Sequence, residues 1–283
     1  MEIVGDSGAT YTPGECVGAL ESYRLYRCTK AEDDRQYLLQ VAANETYNPK
    51  MDRNAYILEL LANRAAELEV WFQSRKTAAD GGRCLNYDIT FPELVESFTC
   101  AEQQDRTINI LGFKHVPDLS KLVPVIHLTK EDGVRVDRRT SAWMFGKVLK
   151  PLSLAHSMGI GGNLVSGYNF LIEPVEHYVM IFDWSEAGIH SEGPRSIPLE
   201  TRQNDIAEAA RTVIVALGGN LRNGSFPEDR AEERDTKRYL EYLLTLARGV
   251  EGNAERAHGR FYEIVNSIWP REYYPFTTYP FRG

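Results

Sequence analysis

Two polar residues flank an apolar hairpin in the middle of this sequence, and their types fit metal chemistry. Asn169 stands immediately before the strand-like run Phe170-Leu171-Ile172. A polar turn follows from Glu173 to His177, and a second apolar run, Tyr178 to Phe182, leads to Asp183. A hairpin of this kind brings an amide oxygen and a carboxylate together. The pair could hold Mg²⁺ against nucleotide phosphates, because that ion takes one or two protein carboxylates and shares the rest of its shell with phosphate and water. The competing reading is a buried hairpin in some other α/β protein.

The stretch is similar to the catalytic loop and metal-binding segment of the eukaryotic-type protein kinase fold, in which H-R-D-L-x-x-x-N is followed, a hairpin later, by D-F-G. Aligned on Asn169, the family's catalytic Asp falls on Leu164, and its His and Arg fall on Gly162 and Asn163. Its D-F-G becomes Asp183-Trp184-Ser185. The scaffold of the motif is present and the base is missing.

Bulk properties narrow the field. The chain has 283 residues, 43% of them apolar, enough for one large domain or two lobes with a substantial core. A net charge of −8 argues against a nucleic-acid or anionic-membrane surface. No apolar run reaches the roughly 18–20 residues of a membrane span, and the N-terminus lacks the pattern of a signal peptide. The four cysteines include no CxxC pair, which fits reduced thiols and a cytoplasmic setting. The six histidines lie far apart, without ligand spacing. GDSG at Gly5 to Gly8 has no suitable partners for a protease triad and reads as a polar turn.

Around the hairpin, the elements follow the family's order. Gly14 to Ala43 reads as a sheet in which Arg24 to Cys28 alternates as a half-buried strand should. In the family this is the Gly-rich hairpin over the phosphates. Here only Gly18 remains in register, and Ala19, Leu20 and Tyr23 hinder close backbone approach to phosphate. The strand Tyr37 to Ala42 resembles V-A-I-K, with Gln40 at the Lys position. A helix from Asp52 to Phe72, N-capped by Asp52, presents Tyr56, Leu60, Leu61, Leu68 and Trp71 on an apolar face. The partner Glu of the family falls on Asn54, or on Glu59 in a shifted register. Surface polarity alone could explain Gln40 and Asn54. Their joint change is what loss of an ion pair should look like, since either charge alone in a cleft is costly.

After a loop at 77–83, strands over Phe91 to Phe98 and Arg106 to Phe113 complete a five-stranded small-lobe sheet. Leu111-Gly112-Phe113 falls where the family's hinge offers backbone hydrogen bonds to adenine. From Val116-Pro117-Asp118 the text turns helical. Thr140 to His156 is a long helix, apolar at Met144, Phe145, Val148, Leu149, Leu152 and Ala155 and kinked at Pro151. Ile197 to Glu200 is at best a vestige of A-P-E. Asp205 opens an apolar helix ending before Gly218-Gly219, at the position whose Asp holds the catalytic loop in the family; an acid favoured by the helix dipole reads equally well. Pro227 to Arg238 is a charge-dense surface run, and two amphipathic helices follow it, Tyr239 to Arg248 and Ala254 to Trp269. The aromatic tail, Glu272 to Phe281, reads as a packed extended segment or a partner-docking strip.

The expectation is an α+β, bilobal protein kinase-like fold, with a small antiparallel-sheet lobe over 1–113 and a larger helical lobe over 114–283. The degenerate loop also looks similar to that of a set of bacterial kinase-like proteins. The implied function is a catalytically impaired pseudokinase, a binding or regulatory scaffold for an unidentified protein partner. Nucleic acid and membrane are not expected. The implied cofactor is Mg-ATP bound weakly, or none, with Gln40, Leu111, Phe113, Asn169 and Asp183 around the nucleotide and Asn169 and Asp183 on the metal. The alternative is a divergent metal-dependent phosphotransferase or nucleotidyltransferase that draws its base from elsewhere.

Overall fold

The computed structural model describes residues 2–77, 83–114, 116, 118–165, 167–175, 177–229 and 234–281. Most of the loop at 77–83, Pro117, Glu176 in the hairpin turn and positions 230–233 of the charge-dense run lie outside the described residues. The chain packs as two compact units. The first runs to Leu122 and takes in Phe182–Glu186; the second comprises Val123–Ile181 and the stretch from Ala187 onward.

The first unit is built on an antiparallel sheet of β1 (Ile3–Val4), β2 (Thr10–Ala19), β3 (Tyr23–Lys30), β4 (Asp33–Ala42), β5 (Glu93–Cys100) and β6 (Arg106–Gly112), in the order β1-β2-β3-β4-β6-β5. The short β1, pairing Ile3 with Tyr11, makes the sheet six-stranded rather than five-stranded. One face buries Ile3, Tyr11, Leu39, Val41, Phe98, Ile108 and Ile110 in an apolar cluster. Helix α1 (Asn48–Arg75) packs on β4, β5 and β6. It begins earlier than Asp52, because Pro49 in the first turn needs no hydrogen-bond partner. Its buried stripe is Met51, Asn54, Ala55, Ile57, Leu58, Leu61 and Ala65, while Tyr56 and Trp71 are exposed. The expected face was turned wrongly because small residues, which let a helix approach a sheet closely, outweighed the large aromatic ones here. The GDSG stretch is a turn, with the Ser7 hydroxyl donating to Glu96 at 3.0 Å.

This unit extends past Phe113, where the periodicity changes. Buried Leu119 donates its N–H to Gln36 (2.9 Å), and Arg27 donates to the carbonyls of Leu119 (3.1 Å) and Ser120 (2.8 Å). These bonds fasten the segment to β3 and β4.

The second unit contains β7 (Val123–Pro124), α2 (His127–Lys130), β8 (Val134–Val136), α3 (Arg138–Ser157), β9 (Ile160–Gly161), β10 (Phe170–Glu173), β11 (Tyr178–Ile181), β12 (Gly188–Ile189), α4 (Leu199–Ala216), α5 (Lys237–Ala247), α6 (Ala254–Ile268) and β13 (Thr278–Pro280). Helix α3 packs against α4, α6 and β11, and α4 against α5. All six apolar positions expected on α3 are buried, as is Pro151 within it. The hairpin pairs Phe170 with Ile181 and Glu173 with Tyr178, and β10 also pairs with β7. None of the described helices is long and apolar enough to cross a membrane.

The aromatic tail is a packed element. Strand β13 pairs with β8, Thr278 opposite Val136 and Pro280 opposite Val134. Asp137 joins this tail to the start of α3. Its carboxylate accepts the Thr140 N–H (2.6 Å) as an N-cap and also accepts the Tyr274 hydroxyl, and its N–H donates to the Thr277 carbonyl (3.1 Å). Asp137→Ala removes the cap and the tail contact together. It should destabilise the fold by about 1–3 kcal/mol, and Asp137→Asn by less, read as a shift in the urea midpoint with unchanged slope.

Candidate functional site

In the first unit, side chains from four elements converge on Gln40. The residue lies on β4 directly opposite Asn109 of β6, which is in turn opposite Ser97 of β5. Three cross-strand neighbours therefore form a polar row on the α1 face of the sheet. The Gln40 side-chain oxygen accepts from Asn54 of α1 (2.8 Å) and from Asn109 (3.1 Å); Asn109 also donates to the Met51 carbonyl (3.0 Å) and accepts from the Ser97 hydroxyl (2.7 Å). Gln40, Asn54 and Asn109 are completely buried. Asn54, and not the exposed Glu59, is thus the helix partner of Gln40. The pair is neutral, as a buried pair must be when neither side supplies a charge. One donor, Gln40 Nε2, is left without a hydrogen bond.

The same network holds the Phe182–Glu186 segment. The Asn54 side-chain oxygen accepts the Trp184 N–H (2.8 Å), and the Arg53 guanidinium donates to the Ser185 carbonyl (3.0 Å). Lys50 forms an ion pair with Glu186. Asp183 is 4% exposed; one of its oxygens accepts the Tyr23 hydroxyl (3.0 Å) and the other the Ser185 N–H (3.0 Å). Tyr23 is itself fully buried, edge-on to Phe182 with ring centroids 6.4 Å apart. Burial raises the Asp183 carboxyl above the ordinary range, against the pull of the Ser185 and Tyr23 hydrogen bonds. Burial, then the neighbouring Asp183 charge, raises the Tyr23 hydroxyl as well, so it remains a donor.

In the second unit the loop between β9 and β10 is organised by Asp205. Helix α4 begins at Leu199, so Asp205 lies well inside it rather than at its N-terminus, and the helix-dipole reading does not apply. The carboxylate is inaccessible to solvent. It accepts the N–H groups of Gly162 (2.7 Å) and Leu164 (3.1 Å), and His156 Nε2 meets it at 2.9 Å. Asn163, between the two N–H donors, takes the left-handed conformation (φ 49°) that points both inward. Thr212 of α4 accepts the Gly167 N–H (2.8 Å), and Asn169 uses its side-chain oxygen to accept the Val165 N–H (2.7 Å). The Leu164 side chain is buried.

The remaining two positions lie at the end of β6 and just beyond it. Leu111 is fully buried in β6, paired on one side with Leu38 and on the other with Leu94. Phe113 is half-buried, and its carbonyl accepts the Val116 N–H (3.3 Å). Gln40 and Asp183 belong to the first unit, Asn169 and Leu164 to the second. Among the described residues no group of three or more His, Cys, Asp or Glu side chains could hold a metal ion by itself. Within the first unit both Asp183 oxygens accept protein N–H or O–H groups, and within the second the Asn169 side-chain oxygen accepts the Val165 N–H. Sequence reading overlooked His156, Asn109 and Ser97. A basic residue in the last turn of α3 was a signal for the first; cross-strand register, which no local pattern carries, was needed for the others.

Two outcomes follow. Asp205→Ala strands three buried donors and should cost about 3–5 kcal/mol, with Asp205→Asn intermediate, measured by chemical denaturation. For Asp183 the folded carboxyl titrates above its unfolded value of about 3.9. Its contribution to stability is therefore greatest while it is protonated and is lost as pH rises from about 4 through the folded pKa. Asp183→Asn removes that loss and can still bond Ser185 and Tyr23. Its melting temperature should exceed that of the natural chain at about pH 8, the gap closing as pH approaches about 4.

No family model matches the chain, and no curated protein matches it. Among solved structures it is similar to vaccinia related kinase 3, with a TM-score of 0.58 over 94% of this chain and 90% of that one, at 11% sequence identity. At that identity the likeness is one of architecture. The sheet-rich first unit, the helix-rich second unit and their order along the chain are those of the protein kinase-like fold, and this chain has that fold.

Proposed function

We propose that the chain is a catalytically impaired kinase-like module that works by binding a protein partner, with weak or absent affinity for Mg-ATP. The observation that carries this reading is the Tyr23–Asp183 hydrogen bond: a buried hydroxyl occupies the carboxylate that would otherwise meet a metal. Two further replacements point the same way. At the base position Leu164 cannot accept a proton, and such help is worth roughly 10²–10⁴ in rate. Gln40, at the Lys position, offers phosphate an uncharged donor, about 1–2 kcal/mol weaker than a charge-assisted one. Positioning and charge neutralisation are nearly the whole of phosphoryl-transfer catalysis, so three losses together leave little. The net charge of −8 supports a partner that is neither nucleic acid nor an anionic membrane.

The test is thermal and radiochemical. A ligand at about a hundred times its Kd stabilises by ~2.7 kcal/mol, a clear rise in melting temperature. Mg-ATP should give little or none with the natural chain. Tyr23→Phe, which frees one Asp183 oxygen, should enlarge any Mg²⁺-dependent shift, and Asp183→Asn should remove it. No phosphate should pass from labelled ATP to protein or small acceptors. Robust metal-dependent transfer by the natural chain, abolished in Asp183→Asn, would overturn this reading in favour of a divergent phosphotransferase.

A further inference from the structure

The second unit contains a cavity of about 290 Å³, away from the Asp205 loop, walled by α3, α6 and the C-terminal tail. Its volume equals roughly ten liquid waters and lies at the lower edge of small-ligand pockets, about 300 Å³. Arg139, Trp143 and Lys147 recur every fourth residue of α3, so all three reach it from one helix face. Opposite them stand Phe261, Tyr262 and Trp269. The tail flanks it with Tyr273 and Phe276, the latter edge-on to Trp143 at 6.5 Å.

The arginines and the histidine that line this cavity make hydrogen bonds. Arg139 donates to the Pro270 carbonyl and to Glu272 (both 3.2 Å) and lies over the Tyr274 ring at 4.5 Å. Arg271 donates to Asn266 (2.9 Å). His177 accepts the Phe276 N–H (3.1 Å) and stacks on Tyr273. Lys147 is half-buried and, among the described residues, has no hydrogen bond or ion pair. Burial lowers its amine below the ordinary lysine range, as expected of a charge without a counter-ion.

We propose that this cavity binds a small aromatic carboxylate, its ring against the aromatic walls and its carboxylate on the Lys147 amine. Flat ring walls favour a planar guest, since aromatic pairs gain about 0.5–1.5 kcal/mol beyond their buried area. Among the described residues Lys147 is the lining cation with neither a hydrogen bond nor an ion pair, and its single charge matches one negative charge. A phosphate dianion would want an arginine fork or several N–H donors, and Glu272 in the lining opposes a second negative charge.

Isothermal titration with 2-naphthoate, 2-naphthamide and decanoate tests this on the whole chain. Naphthoate should bind with a Kd below about 1 mM. The neutral amide should bind at least about tenfold more weakly, and decanoate more weakly than naphthoate. Lys147→Met, which keeps the aliphatic stem, should weaken naphthoate about tenfold and leave the amide unchanged. Equal affinity for acid and amide, tighter binding of decanoate, or no heat with naphthoate at several millimolar each overturns the proposal. So does naphthoate binding that survives Lys147→Met in a folded variant. The acid–amide comparison is made on the natural chain, so it stands even if the variant fails to fold.

Discussion

The helix-rich unit depends on one buried carboxylate. Asp205 has no access to water, and an ion in that position costs several kcal/mol unless its oxygens are fully occupied. They are occupied by two loop N–H groups and the His156 ring. The constraint acts in both directions. The loop must present Gly162 and Leu164 at that spacing, which sets Asn163 in its left-handed conformation, and α3 must end so that His156 reaches the same acid. Thr212, two turns further along the same face of α4, anchors Gly167 in the same way. The loop is therefore held through backbone N–H groups and the His156 ring, and the buried Leu164 side chain takes no part in these bonds.

The sheet-rich unit solves a different electrostatic problem. A lysine on β4 facing a glutamate on α1 would be a buried ion pair, stable only with both members present. Gln40 and Asn54 replace it with a neutral amide pair that Asn109, Ser97 and the backbone of Met51 extend across the sheet. The network passes through Asn54 to the backbone of Trp184, beside Asp183. Asp183 sits beside this network, and burial raises its carboxyl against the pull of the Ser185 and Tyr23 donors.

The C-terminal tail has a structural role and creates a surface at once. Its strand pairing with β8 and its ties to Asp137 fix the entry of α3, and the same aromatic residues wall a cavity over the next turns of that helix. Among the described residues Lys147 has neither a hydrogen bond nor an ion pair there. An electrostatic vacancy inside an apolar chamber is the kind of asymmetry that selects ligands by charge as well as by shape.

The sequence by itself determined the order of elements, the buried face of α3 and the loop-and-hairpin motif, because these depend on local periodicity and on residue types at fixed spacing. It did not determine the sheet-facing side of α1: with alanines and an asparagine in the stripe, the helix packs by closeness and hydrogen bonding rather than by bulk. Nor did it show that Tyr23 reaches Asp183, that Gln40, Asn109 and Ser97 align, or that Lys147 lies unanswered in an aromatic cavity. Those contacts join residues far apart in the chain. Strand register and helix docking create them, and only the tertiary structure fixes either.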